Sequence, residues 1–222
     1  MPRWFGRSSH LADRSVYTRS VKRYDRAYFD RFYRSAEQIG GTTQLRRQVK
    51  MVVSITEYLL DHPIQSVLDI GCGEGRWGVE IRRIRHGANY LGLDPSRYVV
   101  GELGKRRNIM SGSFESLSDI ASRGPFDLVI CADVLHYLPA RQIDRGLRVL
   151  PSLVSGIACL DVTTLEDEPS GDLDGWYRRS AAWYRDRFRR AGLVHCGMQC
   201  WVGPEIIERI GAMEMSDFDS SS

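Results

Sequence analysis

The segment 67–77, VLDIGCGEGRW, limits what this chain can become more than any other stretch. A short apolar run bounded by turn residues suits a strand buried on both faces. Three glycines at alternate positions, Gly71, Gly73 and Gly75, then let the backbone bend sharply and come close to a neighbour without side chains in the way. A helical pattern over 76–85 follows. A strand leading through a glycine turn into a helix begins a parallel sheet, because parallel neighbours need a crossover connection.

The rest of the chain repeats this alternation. Strands are predicted over 66–70, 89–94, 108–110, 126–131 and 157–162, and a final apolar strand over 193–202. Helices are predicted over 76–85, 95–103, 140–150 and 176–191. Strands separated by helices predict an α/β three-layer fold with a central sheet and helices on both faces. Before the sheet, Tyr24, Tyr28 and Phe32 recur four apart, which is one face of a helix over 21–36. A second helix over 45–60 is stopped by His62-Pro63. The expected organisation is an N-terminal arm and helical cap over 1–62, a core over 63–203 and an acidic tail over 204–222.

With 222 residues and 42% hydrophobic content, the chain can bury the core of one domain. A formal charge of +3 does not by itself call for a nucleic-acid partner. No run of about 18 apolar residues is present, so no membrane span is expected. The first ten residues have no apolar signal core. Five cysteines, an odd number, fit free thiols in a reducing cytoplasm.

In an open parallel sheet, ligands bind beyond the carboxyl ends of the strands. Two ligand classes use a glycine turn there: dinucleotides and S-adenosylmethionine. A dinucleotide site has G-x-G-x-x-G, but the sixth position from Gly71 is Arg76, and the third glycine arrives one residue early. Asp69 beside the turn would repel a pyrophosphate. It suits the positive ammonium of an amino-acid group. Asp94, at the end of the second strand in YLGLDPS, can accept ribose hydroxyls in either class, so the pair of Asp69 with the turn discriminates.

At this point the chain resembles the class I, Rossmann-like S-adenosylmethionine-dependent methyltransferases over roughly 66–162. VLDIGCGEGRW is similar to their first motif and YLGLDPS to their second. SGSFESL resembles the segment after their third strand, and FDLVICADVLHYL their fourth-strand motif. The resemblance implies S-adenosyl-L-methionine as cofactor. It implies Asp69, Gly71, Cys72 and Gly73 around its methionine part, Asp94 on the ribose, Ser113 and Phe114 near the adenine, and the backbone of Cys131 along the cofactor. Ser113 stands where the family usually has an acid. Family sheets end in an antiparallel hairpin, whereas only one strand is read here after the last helix.

The resemblance also implies methyl transfer to a small organic acceptor at O, N or S. Asp133 and His136 follow the fourth strand, where the family places substrate-side groups. His136 is a candidate proton acceptor near neutral pH. Tyr28, with Tyr24 and Tyr33, would come from a cap folded over the cofactor, its aromatic faces near the sulfonium. No metal is expected. Cys196 and Cys200, read within one strand, would lie roughly 13 Å apart on one face, too far for one zinc. An Asn-Pro-Pro-Tyr type motif is absent, which favours a small acceptor over DNA. The rival readings are an RNA or protein methyltransferase using the basic N-terminal arm, an NAD-dependent oxidoreductase, and a non-catalytic cofactor-binding subunit.

Overall fold

The structure is a computed structural model that describes residues 22–34, 41–168 and 172–210. The arm over 1–20, the end of the first expected helix at 35–36 and the tail beyond 210 lie outside the described residues. The centre is a seven-stranded sheet of β1 (Ser66–Ile70), β2 (Asn89–Asp94), β3 (Ile109–Ser111), β4 (Phe126–Ala132), β5 (Val154–Asp161), β6 (Val194–Gly197) and β7 (Cys200–Val202). Their order is β3-β2-β1-β4-β5-β7-β6. The first five are parallel. β7 runs antiparallel to both β5 and β6.

Strand alternation assigns each residue to a layer. Leu68, Ile70, Val129, Cys131 and Leu160 face one core, closed by Ile143 and Leu147 of α5 (Ala140–Leu147) and by Tyr184 and Phe188 of α6 (Ala181–Arg190). Val67, Leu128, Ile130 and Cys159 face the other, under Val49, Val52 and Val53 of α2 (Thr42–Leu60) and Ile81 of α3 (Arg76–Ile84). Each fully buried aliphatic side chain contributes about 1.5–3 kcal/mol, so the two layers hold the strand ends rigidly in place. The reversal of strand order between β1 and β4 opens a crevice at their carboxyl ends.

Several expected boundaries move. The final apolar run is a hairpin rather than one strand: Met198 and Gln199 both take positive φ, 49° and 62°, and return the chain along β7. The tight-turn geometry matches the twist of the strands, but neither residue is a usual turn former, so the sequence concealed it. Cys196 therefore lies beside Cys200, its thiol 3.3 Å from the Cys200 carbonyl, and the 13 Å separation does not hold. Among the described residues no group of three His, Cys, Asp or Glu side chains could hold a metal ion. The first helix is short: α1 (Arg26–Phe29), capped by Asp25, runs into a wider π turn, Asp30–Arg34, and residues 22–24 ahead of it are not helical. α4 (Arg97–Arg107) starts after Ser96, which caps it, and runs beyond the expected end. α5 stops at Leu147, and α6 starts only at Ala181, leaving 162–180 as a long connection apart from its three undescribed residues. The last described residues are not a loose tail, because Ile206 and Ile210 are buried in the α2 layer and Arg209 donates to the Leu59 carbonyl at 2.8 Å. No helix among the described residues is long and apolar enough to cross a membrane.

Candidate active site

The glycine turn leaves β1 in a conformation that side chains resist. Gly71 has φ 69°, and a Cβ there would lie 2.3 Å from Cγ2 of Val134. Gly73 has φ 52°, and a Cβ there would lie 2.9 Å from the Tyr33 hydroxyl. The turn is tied to β2: Gly71 and Cys72 both donate to the Leu93 carbonyl, at 2.7 and 3.0 Å. Asp94 holds it from the side. One carboxylate oxygen accepts from the Gly73 N–H and the other from the Ser96 N–H, each at 2.8 Å. The acid expected on a ribose thus also joins the turn to the start of α4. Burial raises its pKa against the pull of these two bonds.

Asp69 is 2% exposed and accepts the Tyr90 hydroxyl at 2.7 Å. Desolvation pushes its carboxyl up to about 7; the Tyr90 bond opposes this and the Asp94 charge adds to it. Asp69 and the turn open on a cavity of about 770 Å³, within the usual size of a ligand pocket. Gly71, Cys72, Asp133 and His136 line it, with Tyr28 and Tyr33 of the cap on one side.

Asp133 follows β4 with φ 58°, a left-handed conformation uncommon outside glycine. Its N–H donates to the Asp161 carbonyl at 3.0 Å. The enclosing protein, and then the Asp161 charge, push its carboxyl up to about 6. Asp161 ends β5 on the same cavity and accepts from the Gln48 amide at 2.8 Å. His136 is 4% exposed. Burial, and then the Lys22 charge, lower its pKa to about 4, against the Asp172 charge. Its Nδ1 lies 3.4 Å from the Thr163 N–H. Accepting that bond at Nδ1 favours the tautomer with the proton on Nε2. Burial raises the Tyr28 hydroxyl far above its usual range, so it remains a neutral phenol.

Four further expected positions fall outside the cavity lining. The Phe114 ring is 1% exposed and packs against Gly146 in the α5 layer, so it is a core side chain and not an adenine platform. Ser113 donates its N–H to the Ser116 hydroxyl at 2.9 Å and does not line the cavity. The Cys131 side chain is wholly buried in the same core as Phe114, and the contact expected of it is through its backbone. Gly73 lies beneath Tyr33 and Phe29 rather than on the cavity wall. Asp161, Asp172, Tyr137 and Trp176 also line the cavity. Asp161 had a readable signal, an acid ending an apolar strand as Asp94 does. Asp172 and Trp176 lie on the long connection, where no periodicity points to a site.

Comparison with known proteins agrees with this geometry. Residues 68–155 match the family model described as methyltransferase domain. No curated protein matches the chain. Similar solved structures include a SAM dependent methyltransferase from Archaeoglobus fulgidus, at 14% identity and TM-score 0.54, over 75% of this chain and 73% of that one. DesVI of Streptomyces venezuelae aligns at 14% identity and TM-score 0.55, over 73% of this chain and 91% of that one. The [4+2]-cyclase SpnF aligns at 20% identity and TM-score 0.53, over 73% of this chain but 62% of SpnF. At these identities the structural likeness is one of fold. The strand order and the glycine turn give the fold of class I, Rossmann-like methyltransferases, and residues 68–155 carry the methyltransferase-domain match, which supports S-adenosylmethionine as the cofactor.

Proposed function

We propose that the protein methylates a small organic acceptor held beside Asp133. The observation that carries this reading is that the glycine turn with Asp69 and the Asp133–His136 segment open on one cavity. The residues present fit the cofactor. Among the described residues the hydrogen bond to Asp69 comes from a phenol, Tyr90, and an ammonium beside this buried acid supplies a counter-charge. Gly71 takes a positive φ on the cavity wall, where a side chain would strike Val134 and distort the turn. When bound, S-adenosylmethionine supplies an electrophilic methyl carbon on a sulfonium leaving group.

The protein's part is positioning and proton transfer. Acceptor and methyl carbon must be held in line, which lowers the barrier mainly by removing freedom of approach. Asp133, raised to about 6, is ionised at neutral pH and basic enough to take the acceptor's proton as the new bond forms. The Nε2–H of His136 donates to an acceptor oxygen or nitrogen and orients it. The five cysteines are free thiols, which supports placement in a reducing cytoplasm. The test is transfer of a labelled methyl group from S-adenosylmethionine to a library of small amines, phenols, thiols and carboxylates. Label in one class supports the reading. Label appearing only in RNA or protein added to the same assay contradicts it.

A further inference from the structure

The wall of the cavity contains a second built feature. The Lys22 ammonium forms an ion pair with Asp172 and donates to the Asp174 carbonyl at 2.9 Å. It lies 4.1 Å from the centroid of the Tyr137 ring and 5.6 Å from those of Tyr24 and Tyr28. The Tyr137 hydroxyl donates to the Asp172 carbonyl, and the Asp174 N–H to the Asp172 carboxylate at 3.1 Å, so the acid is fixed in place. Three aromatic faces around one buried carboxylate form a cage for a cation. Tyr28, Tyr137 and Asp172 all line the acceptor cavity, so the cage opens on it.

Two further observations point the same way. Beyond Asp69, the lining holds Asp133, Asp161, Asp167, Glu168 and Asp172 against Arg47 and Arg76, an excess that draws cations and repels anions. The indole N–H of Trp176, on the same wall, is buried and has no acceptor among the described residues, so it can donate to an acceptor atom elsewhere on the ligand. We infer that the acceptor is an organic amine whose ammonium is recognised by the Tyr28–Tyr137–Asp172 cage, and that Lys22 occupies this cage as an internal stand-in. This rests on the methyl-transfer reading above. Lys22 belongs to the segment that leads into the cap, so an acceptor entering the cage displaces a neighbour of α1 and meets the cap directly.

The test uses the full chain saturated with S-adenosylhomocysteine and three probes that share a phenyl ring and differ in charge: phenethylamine, phenethyl alcohol and phenylacetate. By calorimetry, phenethylamine is expected to bind at least about tenfold more tightly than either partner. Lys22→Met, which removes the internal competitor, is expected to tighten the amine several-fold while leaving S-adenosylhomocysteine affinity within about twofold. Asp172→Asn is expected to abolish the preference. If that variant does not fold, the three probes on the unaltered protein decide the matter alone. Equal or tighter binding of the alcohol or carboxylate, no binding of the amine, or an amine weakened by Lys22→Met would overturn the inference. Failure of S-adenosylhomocysteine itself to bind would instead remove the methyltransferase reading, and this one with it.

Discussion

Tyr90 and Asp69 lie diagonally on adjacent parallel strands, Tyr90 in register with Val67, and the tyrosine hydroxyl donates to the acid at 2.7 Å with both side chains buried. The pair sits on the face opposite Leu68, under α3. A phenol satisfies one oxygen of the carboxylate without neutralising its charge. In the proposed reading a ligand's ammonium supplies the counter-charge.

This relationship makes cofactor affinity depend on pH with a defined sign. An ammonium ligand favours the ionised form of Asp69, whose pKa in the free protein is about 7. Below that value a proton must leave on binding, so S-adenosylhomocysteine affinity should fall by up to about tenfold per pH unit from 7 towards 5. Calorimetry across this range checks the slope, which Asp69→Asn should largely remove.

The same shift acts on stability in the opposite direction. The folded pKa of about 7 lies above the usual carboxylate value, so the folded chain binds more protons than the unfolded chain between about 4 and 7. Asp69 therefore makes the ligand-free protein less stable as pH rises through that window. Asp69→Asn, which keeps an acceptor for Tyr90, should raise Tm at pH 8 by about 2–4 °C per kcal/mol recovered. A thermal melt that shows a lower Tm contradicts this.

Asp133 should govern the rate of transfer. Asp133→Asn should lower kcat by about 10²–10⁴-fold with cofactor affinity little changed. The acid limb of the kcat profile should have its midpoint near 6, where Asp133 gains its proton. His136→Gln should cost less, because the imidazole at pKa about 4 is a neutral donor throughout the working range.

Gly71→Ala should abolish cofactor binding and lower stability. A β-carbon at φ 69° costs about 1–2 kcal/mol in the backbone alone. It also strikes Val134, 2.3 Å away, at the base of the Asp133 turn. Gly87→Ala, with nothing within 4 Å of the added carbon, is the matched control and should leave both unchanged. Thermal melts with and without S-adenosylhomocysteine read both effects.

Much of the fold was legible because parallel strands buried on two faces are written as uninterrupted apolar runs, as in β1 and β4. The turn was legible because alternating glycines have few other uses. The hairpin was hidden by Met198 and Gln199, which take a positive φ that their side chains do not advertise. Phe114 was misplaced because spacing from β3 says nothing about which side of the sheet a ring enters, and the gap left by Gly146 decides that. The proton roles proposed for Asp133 and His136 depend on burial and on neighbours 28 and 27 residues away, Asp161 and Thr163, which only packing brings together. Lys22 and Asp172 are 150 positions apart, and no local pattern joins them.

The most direct measurement is calorimetric titration of S-adenosylhomocysteine into the folded full chain at pH 7.5 and into its Asp69→Asn variant. One saturable site in the first, weakened by about 10–100-fold in the second, is the expected result for a buried charge-assisted contact. No heat of binding in the first, or equal affinity in both, would contradict the assignment of the Asp69 turn as the cofactor site.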